Sequence, residues 1–180
     1  MVYVFLAEGF EEIEALATVD IIRRAEIPVS TVGIGGKFVT GSHGIKVESD
    51  ILPEQIKKDD ITAVILPGGM PGSLNLKNSD VVKQTVTYAY NNGKIVAAIC
   101  AAPIVLGHLG ILKGKKATCY SGFENELTGA DLKNVPVCVD GNVITAWGAG
   151  VAADFAFNII TAIYGSDKKA KEIYSAMRSV

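Results

Sequence analysis

The sequence is short of the residues that build metal centres and disulfide frameworks. Among 180 residues there are two histidines, His43 and His108, and three cysteines, Cys100, Cys119 and Cys138. An odd number of cysteines without paired spacing gives neither a disulfide scaffold nor a zinc site, and fits a reducing compartment. No metal and no cofactor are expected. Charge of one sign is lacking too. The net charge is -2, with a pI near 5.7, so no basic surface is offered to nucleic acid or anionic lipid. No apolar run reaches the roughly 18 residues of a membrane helix. The opening Met1-Val2-Tyr3-Val4-Phe5-Leu6 lacks the basic start and small-residue cleavage site of a signal peptide and reads as a first strand. A cytoplasmic protein with neither nucleic-acid nor membrane partners is the expectation.

What is present is the composition of a globular domain: 49% hydrophobic and 20% charged. Strand and helix patterns alternate along the chain. Strands are expected at 2–6, 28–34, 61–66, 94–99 and 117–120, with a ribbon over 39–47 extending the sheet. The turn Asp140-Gly141 marks a hairpin between 137–139 and 143–146. Helices are expected at 11–24, from Ser79 as cap to Asn91, at 101–112, at 151–164 and at 167–178. Continuous Val and Ile strands alternating with helices mean a mostly parallel sheet covered on both faces, an α/β fold, in one domain spanning 1–180.

In such sheets the functional site lies beyond the carboxyl ends of the strands. That rule selects three loops: Ala7 to Glu14, Leu66 to Met70, and Ile99 to Pro103. Cys100 ends a core strand and precedes a helix, whose free N–H groups and positive end favour thiolate over thiol. The plainer alternative is a buried cysteine acting as a small hydrophobe, and that reading stands for Cys119 and Cys138. Glu14 flanks the apolar face of the first helix (Ile13, Leu16, Ala17, Ile21) and is placed to reach over the sheet edge. Glu8, Glu11 and Glu12 read as solvated acids of a helix N-terminus. Asp20 falls on the apolar stripe and reads as a buried, hydrogen-bonded carboxylate supporting the site. No G-x-G-x-x-G is present and no Lys-Ser/Thr follows Gly68-Gly69. That pair therefore reads as backbone able to approach a ligand and offer N–H groups to an oxyanion. His43 and His108 read as surface or structural residues, and Trp147 as a pocket-lining or packing side chain.

Taken together, Ala7 to Glu14, Val19 to Ala25, Leu66 to Gly69, Ala97 to Pro103 and Gly148-Ala149-Gly150 resemble the DJ-1/ThiJ/PfpI superfamily, in its deglycase branch. The resemblance implies a flavodoxin-like three-layer sandwich, related to the class I glutamine amidotransferase fold, and a homodimer. It implies Cys100 as nucleophile on a strained elbow and Glu14 as a protonated carboxyl bonded to its sulfur, with N–H groups of Gly69 and Ala101 forming the oxyanion site. It implies glutathione-independent glyoxalase or deglycase activity on small carbonyls in oxidative or carbonyl stress, or else a redox sensor or chaperone using an oxidisable Cys100. The peptidase branch has His directly after the cysteine, where this chain has Ala101. The deglycase branch has His where this chain has Tyr120, a substrate-facing position, and a phenol is a poor base at neutral pH.

Overall fold

A computed structural model describes residues 1–177. In chain order the elements are β1 (Val2–Ala7), α1 (Glu12–Arg24), β2 (Val29–Ile34), β3 (Phe38–Thr40), β4 (Lys46–Glu48), β5 (Ala63–Leu66), α2 (Gly72–Asn78), α3 (Asp80–Asn91), β6 (Ile95–Ile99), α4 (Pro103–His108), β7 (Lys116–Ala117), β8 (Asp131–Leu132), β9 (Val137–Asp140), β10 (Val143–Ala146), α5 (Ala152–Tyr164) and α6 (Lys168–Met177). The expected end of the last helix at Arg178 lies outside the described residues.

The central sheet has the order β2-β1-β5-β6-β10-β9, parallel except for β9, which pairs antiparallel with β10 at one edge. Its inner strands β1, β5, β6 and β10 are buried on both faces, and their side chains sort with a period of two. Val2, Val4 and Leu6 point to one core with Ala15, Val19 and Ile22 of α1, Phe155 and Ile159 of α5 and Ile173 of α6. Tyr3, Phe5 and Ala7 point to the other, with Leu76 of α2, Val82 and Val86 of α3 and Leu106 of α4. Each such Val, Leu, Ile or Phe side chain taken wholly out of water contributes roughly 1.5–3 kcal/mol before entropy is charged against it. The α/β sandwich expected from the sequence is the observed fold.

Several local expectations fail, each for a physical reason. β3 and β4 pair with each other as a separate two-stranded sheet and do not extend the main one. The ribbon is instead folded back over the loop after β1, with Gly9 N–H donating to the Thr40 carbonyl at 2.8 Å. The strand expected at 117–120 ends at Ala117, because β7 pairs only with the short β8. Ser79 occupies the cap position of α3 but its side chain makes no capping bond. α2 was not anticipated, since Pro71 and Gly72 interrupt any helical pattern there.

The rotation of α1 matters most. Ile13 is 56% exposed and Leu16 and Ala17 are only partly covered, while Glu12 and Glu14 take inward positions. Asp20 is consequently an exposed residue, bonded to Arg24 one turn on at 2.8 Å. It is not a buried support of the site, and the expectation for it is wrong. Two carboxylates take the core-facing positions at the helix start, so Ile13 turns outward there while Ile21, at the far end of the same stripe, stays in the core.

Candidate active site

The chain runs from β1 to β2 on one side, then returns through β5 on the other side of β1. The loops after β1, β5 and β6 therefore meet at a reversal of strand order, where open α/β sheets form a crevice. Cys100 follows β6 with φ of 64°, the left-handed region that side-chain-bearing residues rarely occupy. Its N–H donates to the Ala146 carbonyl at 2.9 Å and its carbonyl accepts from Tyr120 N–H at 2.8 Å. Bonds on both sides of the residue hold the strained turn.

Glu14 reaches that turn from the first turns of α1. Glu11 caps the helix, its carboxylate accepting from Glu14 N–H at 2.7 Å. The Glu14 side chain, 1% exposed, accepts from Gly68 N–H at 2.7 Å and also from Ala149 N–H, and it is hydrogen-bonded to Cys100. Backbone N–H groups of Gly69 and Ala101 point at Sγ. Gly68 and Gly69 thus divide their labour. Gly68 N–H is committed to Glu14 and does not face a substrate, contrary to the expectation for it, whereas Gly69 N–H is available at the sulfur. A Cβ on Gly68 would lie 2.5 Å from Cys100 Cβ and 2.6 Å from Glu14 Oε2. One on Gly69 would strike the Gly9 carbonyl oxygen at 2.4 Å. Only glycine lets these loops approach so closely.

Burial pushes the Glu14 carboxyl up to about 7, against the pull of its N–H donors and of Cys100. Burial also pushes Cys100 up to about 12, reinforced by the charge and hydrogen bond of Glu14 and opposed by the N–H groups of Gly69 and Ala101. The expectation of a thiol depressed by a helix N-terminus is not met. α4 begins only at Pro103 and spans six residues, too short and too distant to outweigh desolvation. Both groups sit above their ordinary values, so near neutrality the pair carries at most one negative charge. The forms S⁻/COOH and SH/COO⁻ differ by one proton shift along one hydrogen bond, and the two groups titrate together.

Tyr120 is 54% exposed, with its ring edge beside Gly148. An added Cβ on Gly148 would lie 3.3 Å from that ring, 3.6 Å from Glu14 Oε1 and 3.7 Å from Cys100 Sγ. Gly148 therefore forms a fourth wall of the site. Cys119 and Cys138 are buried, as their plain reading requires, while Cys100 is only partly buried. The sequence reading missed three things. Ala149 N–H bonds Glu14, a contact foreshadowed only by the Gly148-Ala149-Gly150 run. Glu12, read as solvated, is buried and holds the ribbon through His43 N–H at 2.8 Å and His43 Nδ1 at 2.9 Å. Glu11, Glu12 and His43 also form the one group of potential metal ligands among the described residues. Their atoms are already engaged with one another and with backbone, so the cluster reads as a tether.

Residues 1–162 match the model of the DJ-1/PfpI family. The chain is 36% identical to protein dj-1beta of Drosophila melanogaster over 168 residues, 92% of this chain and 90% of that protein. It is 35% identical to the Parkinson disease protein 7 homolog of Danio rerio, covering 93% and 92%. The crystal structure of Drosophila DJ-1beta superposes with a TM-score of 0.93 at 34% identity, over 98% of this chain and 96% of that one. Toxoplasma gondii DJ-1, solved in an oxidized form, gives 0.92 at 31% identity over 98% and 96%. A partly buried cysteine on a strained turn, a buried glutamate bonded to it, and this likeness over nearly the whole chain place the protein in the DJ-1/PfpI family.

Proposed function

We propose that this protein is a cysteine-dependent enzyme acting on small reactive carbonyls, of the glutathione-independent glyoxalase or deglycase type. The observation that carries the reading is the hydrogen-bonded Glu14–Cys100 pair with the N–H groups of Gly69 and Ala101 converging on its sulfur. With a 2-oxoaldehyde, Cys100 Sγ adds to the aldehyde carbon and the S–H proton passes to the pair or to the new oxygen, giving a hemithioacetal. The two N–H groups stabilise the oxyanion as it forms. Glu14 then removes the proton from the former aldehyde carbon and returns one to the adjacent carbon, leaving a thioester and a hydroxyl group. Water hydrolyses the thioester, releasing a 2-hydroxy acid and regenerating the thiol. Oxidation of one carbon balances reduction of its neighbour, so the sequence needs no external redox partner and no cofactor.

The measurement is conversion of methylglyoxal to lactate by wild type, Cys100→Ser and Glu14→Gln. Turnover by the wild type, with a loss of at least 100-fold in each variant, is the expected outcome. Equal rates in wild type and Cys100→Ser would sink the proposal. A second reading is favoured by the exposure of Cys100 beside two buried cysteines and by the oxidized form of the Toxoplasma relative. Here two equivalents of peroxide convert Cys100 stepwise to the sulfinic acid, releasing two waters, and the protein acts as a redox sensor or chaperone without turnover. A wild type inert toward dicarbonyls but oxidised first at Cys100 selects that reading. Assembly as a homodimer and a cytoplasmic location belong to the same proposal.

A further inference from the structure

Beside the Cys100 turn lies a groove that the chemistry at sulfur and carboxyl leaves unused. Its nearer part is a cavity of about 370 Å³ whose lining includes Tyr120, Ser121, Glu124, Asn134 and Trp147. An adjoining cavity of about 260 Å³ shares Cys119, Glu124, Asn134 and Trp147 and adds Thr118, Leu132 and Lys133. The groove abuts the reactive centre through two backbone links: Tyr120 N–H bonds the Cys100 carbonyl, and Trp147 directly precedes Gly148, which stands beside Sγ. Its nearer part alone is within the size range of pockets that enclose whole small molecules. A three-carbon dicarbonyl reacting at Cys100 leaves it empty.

The lining defines what fits. Tyr120 and Trp147, 54% and 36% exposed, offer flat amphipathic faces. Between them stand groups that bond hydroxyls: the Ser121 hydroxyl, the Asn134 amide and the Glu124 carboxylate, which already accepts from Gly122 N–H at 2.7 Å through one oxygen. The charges do not select an ion. Glu124 and Lys133 are the charged residues among those that line the two cavities, one of each sign. Aromatic faces interleaved with donors and acceptors, without net charge, suit an uncharged polyhydroxylated chain.

We infer that this groove is a subsite for the hydroxylated tail of a longer 2-oxoaldehyde, and that the substrate class is five- or six-carbon sugar-derived dicarbonyls. The inference rests on the proposed carbonyl chemistry at Cys100 and supplies its specificity. The aldehyde carbon meets Sγ while the tail passes Gly148 and lies against Trp147. The reaction keeps the same balance: one water is consumed and a polyhydroxylated 2-hydroxy acid is released.

Trp147 is the sole tryptophan, so its fluorescence reports occupancy without any turnover. Cys100→Ser is titrated with 3-deoxyglucosone and, separately, with methylglyoxal, alone and combined with Asn134→Ala or Glu124→Ala. Both added substitutions are at exposed positions and leave the core intact. The expected result is a saturable change with 3-deoxyglucosone at concentrations at least tenfold below any methylglyoxal response, shifted about tenfold higher by either substitution, as loss of one hydrogen bond to a charged or amide partner does. In the wild type, the ratio of kcat/KM for 3-deoxyglucosone over that for methylglyoxal falls by a similar factor in both variants. A silent Trp147, or equal responses to the two dicarbonyls, overturns the groove even if methylglyoxal is turned over. A saturating Trp147 in a protein that turns over neither compound sinks the catalytic reading and leaves the subsite standing.

Discussion

At Cys100 and Glu14 two unfavourable placements support one another. A buried carboxyl is costly when ionised, and a half-buried thiol beside it is costly as thiolate; burial raises both, Glu14 raises the thiol further, and the thiol's hydrogen bond pulls the carboxyl part of the way back down. The position of the proton they share sets the pH behaviour. Proton abstraction from carbon needs Glu14 free of its own proton, and burial has brought the carboxyl up to about 7. Activity should therefore fall as pH drops through about 7, where an ordinary glutamate would hold it down to about 4.3. We expect kcat/KM for a dicarbonyl to show an acidic limb near pH 7 belonging to the pair as a whole. In Glu14→Gln the residual rate should lose that limb, because the group that titrates is gone. A wild-type limb near 4.5, or an unchanged limb in Glu14→Gln, removes Glu14 as the base.

Among the elements, those with unbroken apolar runs and sharp stops were legible in the sequence: β1, β5, β6, the β9–β10 hairpin around Asp140-Gly141, and α5 closed by left-handed Gly165. So were the three loops of the site, because the parallel sheet dictates where they meet. What sequence pattern missed depends on pairing across distance. The inward turn of Glu12 has no local cause; its partners are His43, Ser42 and Ile45, about 30 residues away in the ribbon. Burial raises Glu12, but the hydrogen bonds from the His43 side chain and backbone and from Ile45 outweigh it and leave it below its ordinary value. His43 is raised in turn, first by its hydrogen bond to Glu12 and then by that charge. A lowered acid contributes stability above its unfolded value of 4.5 that is lost as pH falls through the folded one. A raised histidine contributes below 6.5 and loses its share as pH rises through its folded value. The tether should be complete between about 4.5 and 6.5 and weaker on either side. Glu12→Ala should cost about 1–3 kcal/mol through unsatisfied ribbon donors and remove the decline of Tm with pH on either side of that window. A Tm profile unchanged in shape would show that the ribbon is held by its other bonds.

For the whole molecule, the rotation of α1 that brings Glu14 to Cys100 also turns Ile13 outward, leaving a large apolar side chain 56% exposed beside partly covered Leu16 and Ala17. A lone exposed apolar residue needs no explanation, but three along one helix face form a surface that gains by being covered. The ribbon that suggested assembly from the sequence is folded back on its own chain, so α1 is the better seat for a second copy. In a two-fold dimer each residue of the patch is buried twice, once per copy. Ile13 is 56% exposed, so covering what remains is worth roughly 2–3 kcal/mol across the pair, which corresponds to about one to two orders of magnitude in Kd. Sedimentation at micromolar concentration should give a species of twice 19.0 kDa for the wild type. Ile13→Lys should give 19.0 kDa, because a lysine in that seam brings two like charges together on the axis. Circular dichroism checks that the variant stays folded, since position 13 faces away from the core. A wild type that sediments as monomer removes the dimer, and an Ile13→Lys protein that still sediments as dimer moves the interface off α1.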